Sequence, residues 1–242
     1  MKKNFNIASR VGLLFIGILF AGQVEAQQAA FINTNSLPPS GLQSSGGQAG
    51  QPFALGLQFT VNSAVVISQL GAYDATIGGS GLGFGSPVQV GIYSLASSSF
   101  ISQTGIFVGP VGTVLNSYRF QSISALTLNP GTYMVIAAGY GIATAPDWNA
   151  IVAGISPSPI QFNGGGGLLT FGSSWFDNNP GGQLQPTTVN VGGVGPQFAA
   201  GSFKFAPVPE PTTTELILAS AVLVGGLRFG RRFFGKIDNS RV

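Results

Sequence analysis

The sequence predicts an all-β protein: an antiparallel, jelly-roll-like β-sandwich, flanked by an N-terminal signal-peptide helix and a short C-terminal transmembrane helix. Three observations predict it. Phe53, Leu55, Leu57, Phe59 and Val61 alternate with Ala54, Gly56, Gln58 and Thr60, the period of a strand that buries one face. Short apolar runs recur along the chain between Gly, Pro, Asn and Ser, the punctuation of a sandwich or barrel. No amphipathic helical stretch lies between the two ends, and no strict repeat suggests a solenoid or propeller.

Residues 1–26 read as a signal peptide. Lys2, Lys3 and Arg10 form a basic region beside the apolar stretch Val11 to Gly22. Val24-Glu25-Ala26 has small residues at the two positions that signal peptidase reads, which places cleavage between Ala26 and Gln27. As a helix the apolar stretch is about 18 Å long, against a hydrocarbon core of about 30 Å. A removed signal peptide is therefore expected rather than a membrane anchor.

Residues 27–52 read as an N-terminal linker, and 53–207 as the exported β-sandwich domain. Strand-like runs cover about 53–61, 64–73, 87–94, 98–108, 112–121, 123–128, 132–139, 149–154, 159–163, 167–171, 187–191 and 197–206. Val88, Val90 and Ile92 repeat the alternation, as do Phe203 and Phe205 around Lys204. Tyr133 to Ala137 is apolar on both faces, as in a central strand. Asn129-Pro130-Gly131-Thr132 predicts a type II turn, with Pro fixing φ at its second position and Gly supplying a positive φ at its third. The stretches Asn33–Gln51 and Phe171–Pro196, rich in Asn, Ser, Gly, Pro and Gln, read as long surface loops or linkers.

The domain is nearly free of charge. Between residues 27 and 207 the acids are Asp74, Asp147 and Asp177 and the bases Arg119 and Lys204. The net charge of +3 for the whole chain is set by the two ends, so the basic balance describes targeting segments and no nucleic-acid surface is expected. The sequence has 0 Cys and 0 His. Disulfides are excluded, and so are Ser-His-Asp and Cys-His catalysis and His- or Cys-ligated metal centres. Among enzymes, a carboxylate-dependent glycoside hydrolase stays open because it needs only two carboxylates. Asp74, Asp147 and Asp177 are its only candidates, and no spacing brings two of them together, so no catalytic residue, cofactor or enzymatic activity is expected.

Other features are weighed on their chemistry. The loop Gly78 to Gly85 lacks the Lys-Ser/Thr of a P-loop and the G-x-G-x-x-G spacing, so it reads as a connection between strands, as does Gly164 to Gly167. Asp74 opens the first of these loops and is a calcium candidate, although calcium takes about six to eight oxygens and a single Asp more often serves a turn. Trp148 and Trp175 stand beside Asp147 and Asp177 in polar, turn-rich sequence. An aromatic face next to a carboxylate suits a sugar; the alternative is that each Trp plugs an edge of the sandwich.

Residues 208–242 form a tripartite signal. Pro209-Glu210-Pro211 is followed by an apolar stretch from Leu216 to Leu227 and then by Arg228, Arg231, Arg232 and Lys236. The span between Glu215 and Arg228 is about 18 Å as a helix, marginal for a permanent anchor and sufficient for a transient stop. The basic cluster places the tail on the cytoplasmic side and residues 27 to about 210 outside. Reading and then removing a hydrophobic tail follows the logic of a GPI signal.

This tail resembles the PEP-CTERM sorting signal of bacterial exosortase substrates. Pro209-Glu210-Pro211 is similar to the family's triplet and Arg231-Arg232 to its basic stop, although the chain continues through Phe233-Phe234-Gly235-Lys236 to Val242. The resemblance implies partners in signal peptidase and an exosortase-type processing enzyme. It also implies membrane association during sorting, then the cell surface or an extracellular polysaccharide matrix. Residues 53–206 are similar to exported β-sandwich domains found ahead of such tails, through Gln58-Phe59-Thr60-Val61, Gln69 to Asp74, Val90-Gly91-Ile92-Tyr93, Leu128 to Tyr133 and Gly195-Pro196-Gln197-Phe198. The resemblance implies a fold and a location, with no reaction attached. The expected role is that of a non-enzymatic surface or matrix protein; the alternatives are a carbohydrate-binding module using Trp148 or Trp175, and the carboxylate-dependent hydrolase.

Overall fold

The computed structural model describes residues 26–33, 54–74, 82–140, 160–177, 183–190 and 198–209. All of them but Pro209 belong to one compact unit, Ala26–Val208. The strands, in chain order, are β1 (Gln28–Ala29), β2 (Phe31–Asn33), β3 (Ala54–Val61), β4 (Val65–Tyr73), β5 (Phe84–Ser94), β6 (Ser99–Gln103), β7 (Phe107–Gly109), β8 (Thr113–Leu115), β9 (Tyr118–Leu128), β10 (Gly131–Ala138), β11 (Ile160–Phe162), β12 (Leu169–Asp177), β13 (Val189–Asn190) and β14 (Gly201–Pro207). No helix occurs among the described residues.

Every pairing between strands is antiparallel. One sheet runs β1-β14-β4-β9-β8; the other runs β13-β12-β3-β10-β5-β6, with β7 also on β5, and β11 and β2 form a small third sheet. The two large sheets form a sandwich around a shared apolar core. Leu55, Leu57, Phe59 and Val61 of β3 meet Val65, Ile67 and Leu70 of β4 and Phe203 and Phe205 of β14 there. Phe59 and Phe203 come from opposite sheets, and their ring centroids lie 4.7 Å apart. Phe31 adds a third layer of contact, with Phe162 and Phe171 each 5.1 Å from it. The period-two pattern of β3 thus buries the face it predicts.

The structure revises several boundaries. Residues 28–33, expected as linker, pair as strands: Gln28 and Ala29 with Phe205 and Lys204, Phe31 to Asn33 with Phe162 to Ile160. Their partners lie far along the chain, so nothing local in the sequence announces them. The run 98–108 divides into β6 and β7, and 112–121 divides at Asn116-Ser117, whose φ values of 46° and 67° make a two-residue hairpin between β8 and β9. Residues 118–128 form one strand across the division expected between 121 and 123.

The predicted type II turn at Asn129–Thr132 is not formed. Gly131 is already paired with Val61 and is not among the glycines with positive φ. The physical reason is topological: β9 lies in one sheet and β10 in the other, so Asn129-Pro130 crosses the sandwich and does not close a hairpin. Strand β12 continues to Asp177, well past the expected 171, through a bulge between Phe171 and Ser174. The run 149–154, Phe53, residues 75–81 and the two helices expected at the ends of the sequence lie outside the described residues.

Candidate functional site

One face of the seven-stranded sheet lies outside the main core. Alternation puts Ala54, Gly56, Gln58 and Thr60 of β3 on that side, opposite Leu55, Leu57 and Phe59. Ala54, Met134, Ile136 and Ala138 form a second, smaller apolar cluster there, flanked by Tyr93, Phe100, Trp175 and Leu184. Residues 183–190 cross part of this face. Leu184 Cδ2 comes within 2.7 Å of where a Cβ on Gly91 would stand, and Thr187 Oγ1 within 2.9 Å of one on Gly56. These two glycines let the segment approach the sheet closely. Thr187 Oγ1 also lies 2.8 Å from Met134 Sδ.

Trp175 sits at the border of the covered region. It is half-buried on β12, opposite Gly56 on one side and Asn190 on the other. Its indole N–H donates to Gln58 Oε1 at 3.3 Å, which satisfies the ring's single polar group and fixes its orientation. The turn-rich surroundings expected of Trp175 are therefore corrected to a paired strand. Asp177 lies two residues further along the same strand, opposite Ala54 and half-buried. Trp148 and Asp147 lie outside the described residues.

Asp74, weighed above as a turn or calcium residue, is held in an ion pair. It follows β4 and is buried, and its Oδ2 accepts from Arg119 Nε at 2.5 Å. Arg119 also donates through Nη1 to Pro110 O at 2.9 Å, and the Asp74 N–H donates to Ser117 O at 2.8 Å. The pair ties the end of β4 to the β8–β9 hairpin. The cation beside this carboxylate is the guanidinium, and among the described residues no group of three or more His, Cys, Asp or Glu is placed to hold a metal ion. Lys204, the remaining base, lies 4.8 Å from the centroid of the Phe120 ring in the five-stranded sheet.

A cluster of tyrosines closes the same end of the core. Tyr118 donates to Ala199 O at 2.7 Å, and Tyr140 is shared between Ala200 O at 2.9 Å and Tyr73 O at 3.2 Å. Burial pushes the Tyr118 hydroxyl well above the ordinary tyrosine range, with a smaller contribution from neighbouring Tyr73. These are structural contacts, and the sequence reading did not single them out.

The remaining expected residues lie at the ends. Ala26 and Gln27 are exposed, immediately before β1, and Pro209 is exposed after β14. Glu210, Pro211, Arg228, Arg231 and Arg232 lie outside the described residues. Among the described residues no helix is long and apolar enough to cross a membrane. No protein-family model matches the chain, and no curated protein sequence matches it.

Proposed function

We propose that this chain is a non-enzymatic, exported surface or extracellular-matrix protein, delivered by a PEP-CTERM-type signal. The observation that carries the reading is the order Pro209-Glu210-Pro211, apolar stretch, arginine cluster at one end of a chain whose other end reads as a signal peptide. The positions of the two processing points support it. Cleavage after Ala26 or near Pro209 leaves β1 through β14 whole. Signal peptidase and an exosortase-type enzyme are the processing partners on this reading, with the membrane a temporary one.

The chemistry of the domain supports a role without catalysis. The sequence has 0 His and 0 Cys, and Asp74 is held in an ion pair with Arg119. We read the sandwich as jelly-roll-like because successive long strands pass from sheet to sheet: β3, β5 and β10 lie in one and β4 and β9 in the other. Intact mass of the protein isolated from the surface and membrane fractions of its host tests the function. A mature species running from Gln27 to near Pro209–Pro211 is expected. A species that keeps Val242 in both fractions would overturn the proposed sorting.

A further inference from the structure

Beyond residues 183–190, the outer face of the seven-stranded sheet carries exposed Thr170 and half-buried Gln58, Thr60, Thr132 and Trp175, the make-up of a saccharide platform. Thr170, Thr60 and Thr132 stand in direct register across β12, β3 and β10. Neighbouring strands are about 4.8 Å apart, so the row is about 10 Å wide, the scale of a disaccharide. From this row to Trp175, opposite Gly56, is four residues of β3, about 13 Å. Gln58 lies between them with its carbonyl engaged by the indole, which leaves its NH2 as a donor. Gly172 adds no side chain beside it: a Cβ there would come no nearer than 3.5 Å to Gln58 Nε2. Thr170 is exposed and accepts from Asn62 Nδ2 at 2.9 Å, which holds its hydroxyl at the edge of the row. The segment carrying Thr187 bounds the platform on its apolar side.

The charges select the class of ligand. Arg119 and Lys204 are on β9 and β14, in the other sheet. The one formal charge that the register places on this side, among the described residues, is Asp177, two residues beyond Trp175. Among the described residues no base is placed on this side, so an anionic polymer would meet no cation there. Hydroxyl and amide groups donate and accept as sugar hydroxyls do, and an indole offers an apolar surface to the C–H face of a pyranose.

We infer that Trp175, Gln58, Thr60, Thr132 and Thr170 form a binding platform for a neutral polysaccharide. The inference stands on the sheet face alone and does not depend on how the chain is sorted. The test is biolayer interferometry with the full chain immobilised in a non-ionic detergent, exposed in turn to hydroxyethyl cellulose, galactomannan and alginate. Binding of at least one neutral polymer, with weaker binding of alginate, is expected. Thr60→Val and Thr170→Val keep shape and strand propensity while removing a hydroxyl, and each is expected to weaken binding about fivefold. Trp175→Ala is expected to weaken it about tenfold. The valine variants keep the test decisive if the half-buried Trp175 proves necessary for folding. Failure of both neutral polymers to bind, equal binding of alginate, or unchanged binding in the folded valine variants would each overturn the inference.

Discussion

Replacing Arg119 with Met gives the sharpest test of how this domain is held together. Arg119 and Asp74 are 5% and 2% exposed, and the ion pair at 2.5 Å joins the end of β4 to β9. Met keeps most of the aliphatic stem and removes the guanidinium, which leaves the Asp74 carboxylate buried without its cation. Breaking a buried pair from one side costs about 3–5 kcal/mol, and the lost bond to Pro110 O belongs to the same change. That is a large share of the roughly 5–15 kcal/mol by which a domain is stable. At a urea slope of about 2 kcal/mol per M the midpoint should fall by about 2 M. The assay is urea unfolding of the full chain followed by far-UV circular dichroism, for wild type, Arg119→Met, Asp74→Asn and the double variant. The reasoning requires the double variant to recover about half or more of the loss, because it removes the stranded charge. A loss under about 1 kcal/mol in Arg119→Met would mean that the pair behaves like a solvated surface pair. A double variant as unstable as Arg119→Met would show that the cost comes from packing instead of charge.

Two further outcomes follow from the geometry. Gly139 has φ of 103°, and a Cβ there would stand 1.9 Å from Pro87 O, so Gly139→Ala is expected to cost about 3 kcal/mol or more. Gly166, with φ of 70° and open space around it, should lose only about 1–2 kcal/mol as Ala; equal midpoints for the two variants would sink the distinction. The third outcome concerns alkali. The folded state holds the Tyr118 proton to a higher pH than the unfolded chain, which releases it at about pH 10. The proton's contribution is whole below that pH and is lost as pH rises above it, at up to about 1.4 kcal/mol per unit. Urea midpoints measured across that range should decline, less so in Tyr118→Phe, and a flat profile in the wild type would refute the assignment.

How much of this was legible in the sequence depends on the range over which each feature is encoded. Strand β3 was legible because its alternation is local and its inner residues, Leu55 to Val61, all enter one core. Strand β12 was cut short because Gly172, Ser173 and Ser174 have weak strand propensity; register with β3 and a bulge carry it onward. Strands β1 and β2 were missed because what makes them strands is β14 and β11, far along the chain. The turn at Asn129 was read from residues that do favour reversal, yet the adjoining strands belong to different sheets. At the candidate site, Trp175 was recognised as a residue type, but its partner Gln58 and the threonine row required the register. The ion pair left a faint trace: with only Arg119 and Lys204 as bases between residues 27 and 207, a buried acid had few cations to meet.

The same register bears on how a domain with 0 Cys would tolerate the proposed processing. Gln28 pairs with Phe205 and Ala29 with Lys204, so the first and last strands of the unit lie side by side at one edge of the five-stranded sheet. The chain enters at Ala26 and leaves at Val208 beside the same pair of strands. A domain built this way can be tethered at both ends at once without spanning its own length. Cutting either tether removes no paired residue from β1 or β14. What remains is held by aromatic contacts between sheets, Phe59 on Phe203 and Phe31 on Phe171 and Phe203. Those contacts bring the N-terminal, central and C-terminal parts of the sequence into one core, so that large apolar burial takes the place that cross-links hold in small disulfide-stapled domains.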